Sequence, residues 1–194
     1  MPAVQLECPG CGRPINADQK MCSCGAPLNI ISFSTFDTMP MPMVNKYANS
    51  YRKALALDPS NTSLGSSLAM CYLKLRLYDK AIEAFDKVMD DFVDNSETYF
   101  WAAVARLRGQ NAFVADREDI DRIVEYINAA ILIEPKGIYY FFLAYIKYDY
   151  FERKYLNTTP NYKELLIMVA SAGVSNEEKQ RLFSTLNIPI PELK

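Results

Sequence analysis

From Val44 onwards, apolar residues recur with a helical period. Val44, Tyr47, Tyr51, Ala54 and Leu55 fall three or four residues apart and give one apolar stripe, which stops at Asp58-Pro59. A second helix carries Leu64, Leu68, Cys71, Tyr72 and Leu75, and a third carries Ala81, Ile82, Phe85, Val88 and Met89. The same pattern predicts helices over Glu97 to Arg108, about Glu118 to Ile133, Tyr139 to about Phe151, Asn161 to Ser171 and Asn176 to Leu186. Ser175 with Glu178 is a capping-box signature for the last of these, and Pro189 and Pro191 end it. Short connections make neighbouring helices antiparallel. Asn29 to Pro42 has no helical period. Serines and threonines interleave Phe33 and Phe36 there, and Pro40 and Pro42 break a helix, so the segment reads as a linker partly docked through its aromatics.

Before the linker the chemistry changes. Four of the five cysteines lie in the first 24 residues, as Cys8-Pro9-Gly10-Cys11-Gly12 and Cys22-Ser23-Cys24-Gly25. Two close pairs joined by a short hairpin have metal-ligand spacing, because each tight turn lets two thiolates converge on one tetrahedral ion. Gly12 and Gly25 follow the second cysteine of each pair, where the turn requires a positive φ. Arg13 to Lys20 is the expected hairpin, turning at Asn16-Ala17-Asp18, with Val4, Leu6, Ile15 and Leu28 as a minimal core. So little apolar area does not fold alone, and a bound metal supplies the missing stability.

Four thiolates leave no open coordination position, which points to a structural metal rather than a catalytic one. Disulfides would need an oxidising compartment and a strained Cys-x-Cys ring. A redox Cys-x-x-Cys sits at a helix start in a βαβ unit, a pattern this segment lacks. Tetrahedral sulfur suits iron as well as zinc; one structural zinc held by Cys8, Cys11, Cys22 and Cys24 is the expectation. Cys71 reads as a small buried hydrophobe. Residues 8 to 28 resemble the short zinc ribbons with a Cys-Pro-x-Cys-Gly knuckle. The second knuckle departs from that pattern by one residue, being Cys-x-Cys.

A second resemblance covers residues 44 to 151. The tetratricopeptide repeat is a 34-residue helix-turn-helix with the consensus Trp-x2-Leu-Gly-x2-Tyr, then Ala-x3-Phe-x2-Ala-x4-Pro. Residues 62 to 95 are similar to it: Leu68, Tyr72, Ala81 and Phe85 match, and Ala69 replaces the glycine. Gly65 stands at the tryptophan position, Val88 at the late alanine and Val93 at the proline. Tyr51, Ala54 and Pro59 keep the register of a preceding half repeat. Pro59 to Pro135 spans 76 residues, two repeats plus eight, and the apolar pattern lapses over Gly109 to Asp116, which reads as an insertion. The last helices fit no repeat and are expected to cap the apolar end of the array.

The resemblance implies a face, lined by the first helix of each repeat, that binds an extended peptide or a partner helix. By offset along those helices its expected residues are Met70, Lys74, Phe100, Val104, Arg108, Tyr139, Phe142, Ile146 and Tyr150. The lysine-asparagine-arginine clamp that reads a chaperone carboxy terminus is not found, since Ser63, Ser67, Trp101 and Leu143 stand in its place. Nine aromatics crowd Tyr139 to Tyr155, and about two-thirds of them are expected to fill the core rather than serve as anchors.

Composition narrows the function. The chain has 194 residues, 50% hydrophobic and 23% charged, with formal net charge −2 and no histidine. Lacking histidine, it has no Ser-His, Cys-His or His-metal arrangement. Acidic neighbours such as Asp90 with Asp91, or Glu118 with Asp119, read as solvated helix charges. Charges within residues 1 to 28 cancel, which disfavours a phosphate-tracking surface. No export signal and no apolar run long enough to span a bilayer is seen, so a cytoplasmic location without membrane contact is expected.

The expectation is therefore a mostly α protein. It has a small β-hairpin zinc ribbon (1–28), a linker (29–42) and an antiparallel helical-repeat solenoid with capping helices (43–194). It reads as a non-enzymatic scaffold, adaptor or assembly factor for a protein partner. The alternative is a regulator contacting DNA or RNA through the ribbon. An exposed aromatic patch would also suit a homo-oligomer.

Overall fold

A computed structural model describes residues 6–15, 19, 21–28, 30, 32–89 and 94–193. The expected turn Asn16-Ala17-Asp18, and Val4, Asp90, Asp91 and Val93, lie outside the described residues. The chain is mostly helical, built of adjacent antiparallel helices in the manner of a tetratricopeptide-like helical repeat, with a trace of sheet at the amino-terminal end. It divides into two compact units, Met1–Val93 and Asp94–Lys194. Among the described residues no helix is long and apolar enough to cross a membrane.

In the first unit, β1 (Leu6–Glu7) pairs antiparallel with β2 (Pro14–Ile15), Leu6 opposite Ile15. An isolated bridge joins Met21 to Pro27. The pairing thus flanks each cysteine knuckle, so that each knuckle is the tip of its own small hairpin. Cys8, Cys22 and Leu28 are buried together, with Ile15 and Ala26 packed against them.

The linker then makes a 3-10 turn, Phe33–Phe36, whose two rings are buried and meet edge to face at 5.1 Å. Helix α1 (Met41–Leu57) starts before the apolar stripe begins. Pro40 is its N-cap and Pro42 lies in its first turn. There a missing N–H has no helical acceptor to lose, so the prolines expected to break a helix open one. Val44, Tyr47, Ala48, Tyr51 and Ala54 form its buried face. Asn61 caps α2 (Thr62–Lys74) by accepting from the Leu64 N–H at 3.0 Å, and α3 (Tyr78–Met89) packs back along α2.

The α2–α3 contact is unusually close at Gly65. A Cβ built there would lie 2.6 Å from Val88 Cγ2. Glycine in a helix interior costs about 1 kcal/mol relative to alanine. Here it lets the branched Val88 rest on the backbone of α2. The two departures from the repeat consensus, a small residue for tryptophan and a larger one for alanine, are one exchange of volume.

In the second unit, α4 (Ser96–Arg106) packs along α5 (Arg117–Ile133), and α6 (Gly137–Ile146) along α7 (Tyr162–Ala172). Helix α8 (Asn176–Leu186) touches α4. It carries the expected Ser175/Glu178 capping box, and α7 carries another, Asn161/Glu164. Helix α4 stops two residues short of Arg108, which sits at φ 48° in the turn that follows.

The eight-residue surplus is anchored rather than loose. The Ala112 N–H donates to Tyr145 Oη at 3.1 Å, and the Phe113 N–H donates to Asp149 Oδ2 at 2.8 Å. Asp149 is buried in a π-helical stretch, Lys147–Phe151, that prolongs α6. It also accepts from Tyr145 Oη and from the Arg153 guanidinium. Six of the nine clustered aromatics are buried (Tyr139, Phe141, Phe142, Tyr145, Tyr150 and Phe151), whereas Tyr155 is 95% exposed. Phe183 of α8 meets Phe141 and Tyr145 edge-on, at 6.1 and 5.3 Å between centroids. Lys147 is buried too; it donates to Thr158 Oγ1 at 2.6 Å and lies 4.8 Å from the Phe151 ring centroid.

Two outcomes are expected. Gly65→Ala gains about 1 kcal/mol of helix propensity but overpacks by about 1–3 kcal/mol against a side chain stiff at χ1. Denaturant unfolding should show a net loss that Val88→Ala partly reverses, and an additive double-mutant cycle would count against the contact. For Lys147, burial lowers the ammonium pKa. The unfolded chain therefore holds that proton more tightly, and stability rises with pH towards the ordinary lysine value of about 10.4. Melting curves from pH 7 to about 10.5 should show wild type gaining on Lys147→Met; a constant difference would remove the linkage.

Candidate functional site

Each knuckle is built by its backbone. The Gly12 N–H donates to the Cys8 carbonyl at 2.8 Å, and the Gly25 N–H donates to the Cys22 carbonyl at 2.9 Å. Gly12 and Gly25 sit at φ 73° and 83°, the left-handed conformation expected of them. These turns bring the four Sγ atoms within 4.8 Å of one another, with Cys8 to Cys24 and Cys11 to Cys22 both at 3.7 Å. All four thiols are free. A tetrahedron with metal–sulfur bonds of about 2.3 Å has sulfur–sulfur edges of about 3.8 Å, so the donor set is one that could hold a metal ion.

Second-layer donors point at the sulfurs. The Gly10 N–H lies 3.3 Å from Cys8 Sγ, and Arg13 Nε lies 3.3 Å from Cys11 Sγ. That guanidinium pulls the Cys11 thiol down to about 6, while burial pushes Cys8 up. The backbone N–H of Cys24 lowers Cys22. Gly10 is required for space as well, since a Cβ there would come within 2.8 Å of Ala26 Cβ.

The residues expected on a partner-binding face fall differently. Met70, Phe100, Val104, Tyr139, Phe142, Ile146 and Tyr150 are buried. Phe100 packs on Tyr139 and Phe142, at 4.7 and 5.6 Å between centroids, so these rings fill the second unit's interior. An offset along a helix identifies a face but not what else the chain lays over it. Lys74 is half-buried. Arg108 is exposed, but its guanidinium pairs with Asp119, which also pairs with Arg106 at 3.1 Å. Glu118 is exposed, and its neighbour Asp119 is held in these ion pairs.

In the first unit the chain itself occupies part of α2. The Ile30 N–H donates to Ser67 Oγ at 3.0 Å, and the Ser67 hydroxyl lies 3.1 Å from the Ile30 carbonyl and 2.9 Å from that of Ser63. Ser67 and Ile30 are fully buried. Strand β1 is tied to α1, the Ser50 hydroxyl donating to the Glu7 carbonyl at 3.2 Å.

A different face of α2 opens onto a groove of about 420 Å³, walled by α1 and α3. Leu55, Leu68, Tyr72 and Val88 supply apolar surface, and Gly65 lies in its floor. Arg52, Lys80 and Lys87 stand around it with a single acid, Glu83. The groove leaves little mark on the sequence, because its cations lie on the second helices of the hairpins. Its one sequence signal was the glycine at a position where the repeat consensus has its largest side chain.

Ser67→Ala removes the acceptor of a buried N–H, a loss of about 1–3 kcal/mol. Amide exchange at Ile30 should accelerate, and an unchanged rate would show that the linker is held by other contacts.

Residues 48–107 match the family model of the tetratricopeptide repeat, a span from the second half of α1 to the end of α4. No match was found among curated protein sequences.

Proposed function

We propose that the chain is a non-enzymatic scaffold that binds a segment of a protein partner, with one structural zinc held by Cys8, Cys11, Cys22 and Cys24. The observation that carries the reading is the repeat match over 48–107 on packed antiparallel hairpins, since such repeats are a non-catalytic type that commonly binds proteins. On this reading 1–28 is the metal knuckle, 29–42 a docked linker and 43–194 the helical scaffold. The zinc would fix the two knuckles and leave no position for substrate water. Arg13 donates to a cysteine sulfur, so this knuckle cation is engaged rather than offered to a phosphate backbone.

Elemental analysis of the purified chain should find about one zinc per chain. Chelation should release it and expose the cysteines to thiol reagents while far-UV helicity changes little, because no helix draws on the metal for its hydrogen bonds. Two disulfides and no metal would overturn the site. Iron with its thiolate charge-transfer absorption would overturn the zinc assignment alone.

A further inference from the structure

We propose that the groove between α1, α2 and α3 is the docking site of that partner, and that the partner presents an acidic segment with apolar side chains between its carboxylates. The inference rests on the scaffold reading and names its surface and chemistry. Three observations lead to it.

First, the groove is a formed concavity of about 420 Å³, within the range of ligand pockets, with Leu55, Leu68 and Val88 in its walls. Gly65 lines it, and the Val88 seated on that glycine forms part of the apolar wall. Tyr72 is half-buried at the wall and offers an aromatic face with a polar tip, the kind of side chain that anchors interfaces.

Second, the rim charge is unbalanced. Arg52, Lys80 and Lys87 are exposed and oppose one carboxylate, Glu83. Arg52 donates to the Asn49 side chain and Lys80 lies 6.0 Å from the Tyr72 ring centroid; among the described residues none of the three cations makes a salt bridge. Their charge is available to an incoming anion.

Third, the spacing selects a helical segment over a single small anion. Lys80 and Lys87 are seven residues apart on one helix, about 10.5 Å along its axis. Carboxylates seven residues apart on a docked helix share one face at the same spacing and meet both ammonium groups. Apolar residues three and four positions along that helix lie on the same face and meet Leu68 and Val88. This surface lies away from Met70 and Lys74, because residues 65, 68 and 72 of α2 fall on a different side from 70 and 74.

The test uses the full-length, zinc-loaded chain and a phage-displayed library of random dodecapeptides. Selected peptides should carry Asp or Glu flanking Leu, Phe or Trp. As labelled synthetic peptides in fluorescence anisotropy, they should bind about tenfold or more weakly to the Arg52→Glu/Lys80→Glu/Lys87→Glu variant, and more weakly still as salt is raised. Ala56→Trp, at an exposed position in the groove wall, should also block them. Circular dichroism checks that both variants remain folded. Selected peptides without acidic residues, or ones that bind wild type and folded variants equally, would overturn the groove and leave the scaffold reading standing. A library yielding no binder to the folded wild-type chain would overturn both.

Discussion

Close approach of helix backbones is the constraint on which both units depend, and small residues carry it. Ala69 and Ala81 in the first unit, and Ala103, Ala130 and Ala144 in the second, are completely buried. Two glycines go further. Gly65 takes Val88 directly on its backbone, and a Cβ at Gly137 would lie 1.7 Å from the Gly173 carbonyl oxygen. Gly137 is the first residue of α6 and Gly173 the residue that ends α7, so one backbone contact joins the start of a hairpin to its finish. Side chains of ordinary size would separate these helices and leave the large rings around them without partners.

The second unit adds a polar constraint. Asp149 is buried, and such a carboxylate is tolerable only when its acceptor positions are filled. A backbone N–H from the insertion, a tyrosine hydroxyl and a guanidinium fill them. The widened π turn lies where Asp149 meets the insertion, and irregular turns of this type frequently mark such places. Eight residues beyond the repeat length are thereby converted from a loop into a fixed part of the unit.

These features set what the sequence could reveal. Helices were legible because their apolar stripes are local, and caps such as Ser175 with Glu178 because they follow fixed offsets. The cysteine knuckles and their positive-φ glycines were legible for the same reason. The linker prolines were misread because proline at a helix start and proline in a break look alike until the preceding chain is placed. The residues expected on the partner face show where offsets stop being informative. Phe100, Tyr139 and Phe142 have the offsets of a binding surface, yet their rings pack on one another and are buried, which a local offset does not encode. Tyr155, the one clustered aromatic left fully open, sits at φ 58° after the helical period has ended, where no periodic rule reaches it.

The cysteine knuckles and the helices are physically continuous within the first unit. Ser50 of α1 holds the strand that leads into Cys8, and Ser67 of α2 holds the chain six residues after Cys24. Between these two ties lie all four cysteines. Burial, and secondarily the sulfur charges of Cys8 and Cys24, push Tyr47 up to about 12, so the buried face of α1 already senses the cluster electrostatically. An ion held by the two knuckles would shorten the span of chain left unconstrained between the α1 and α2 anchors, and so lower the entropy lost when Ile30 seats on Ser67. A metal held there would stabilise the knuckles directly, and the seating of the linker on α2 only through that shortened span.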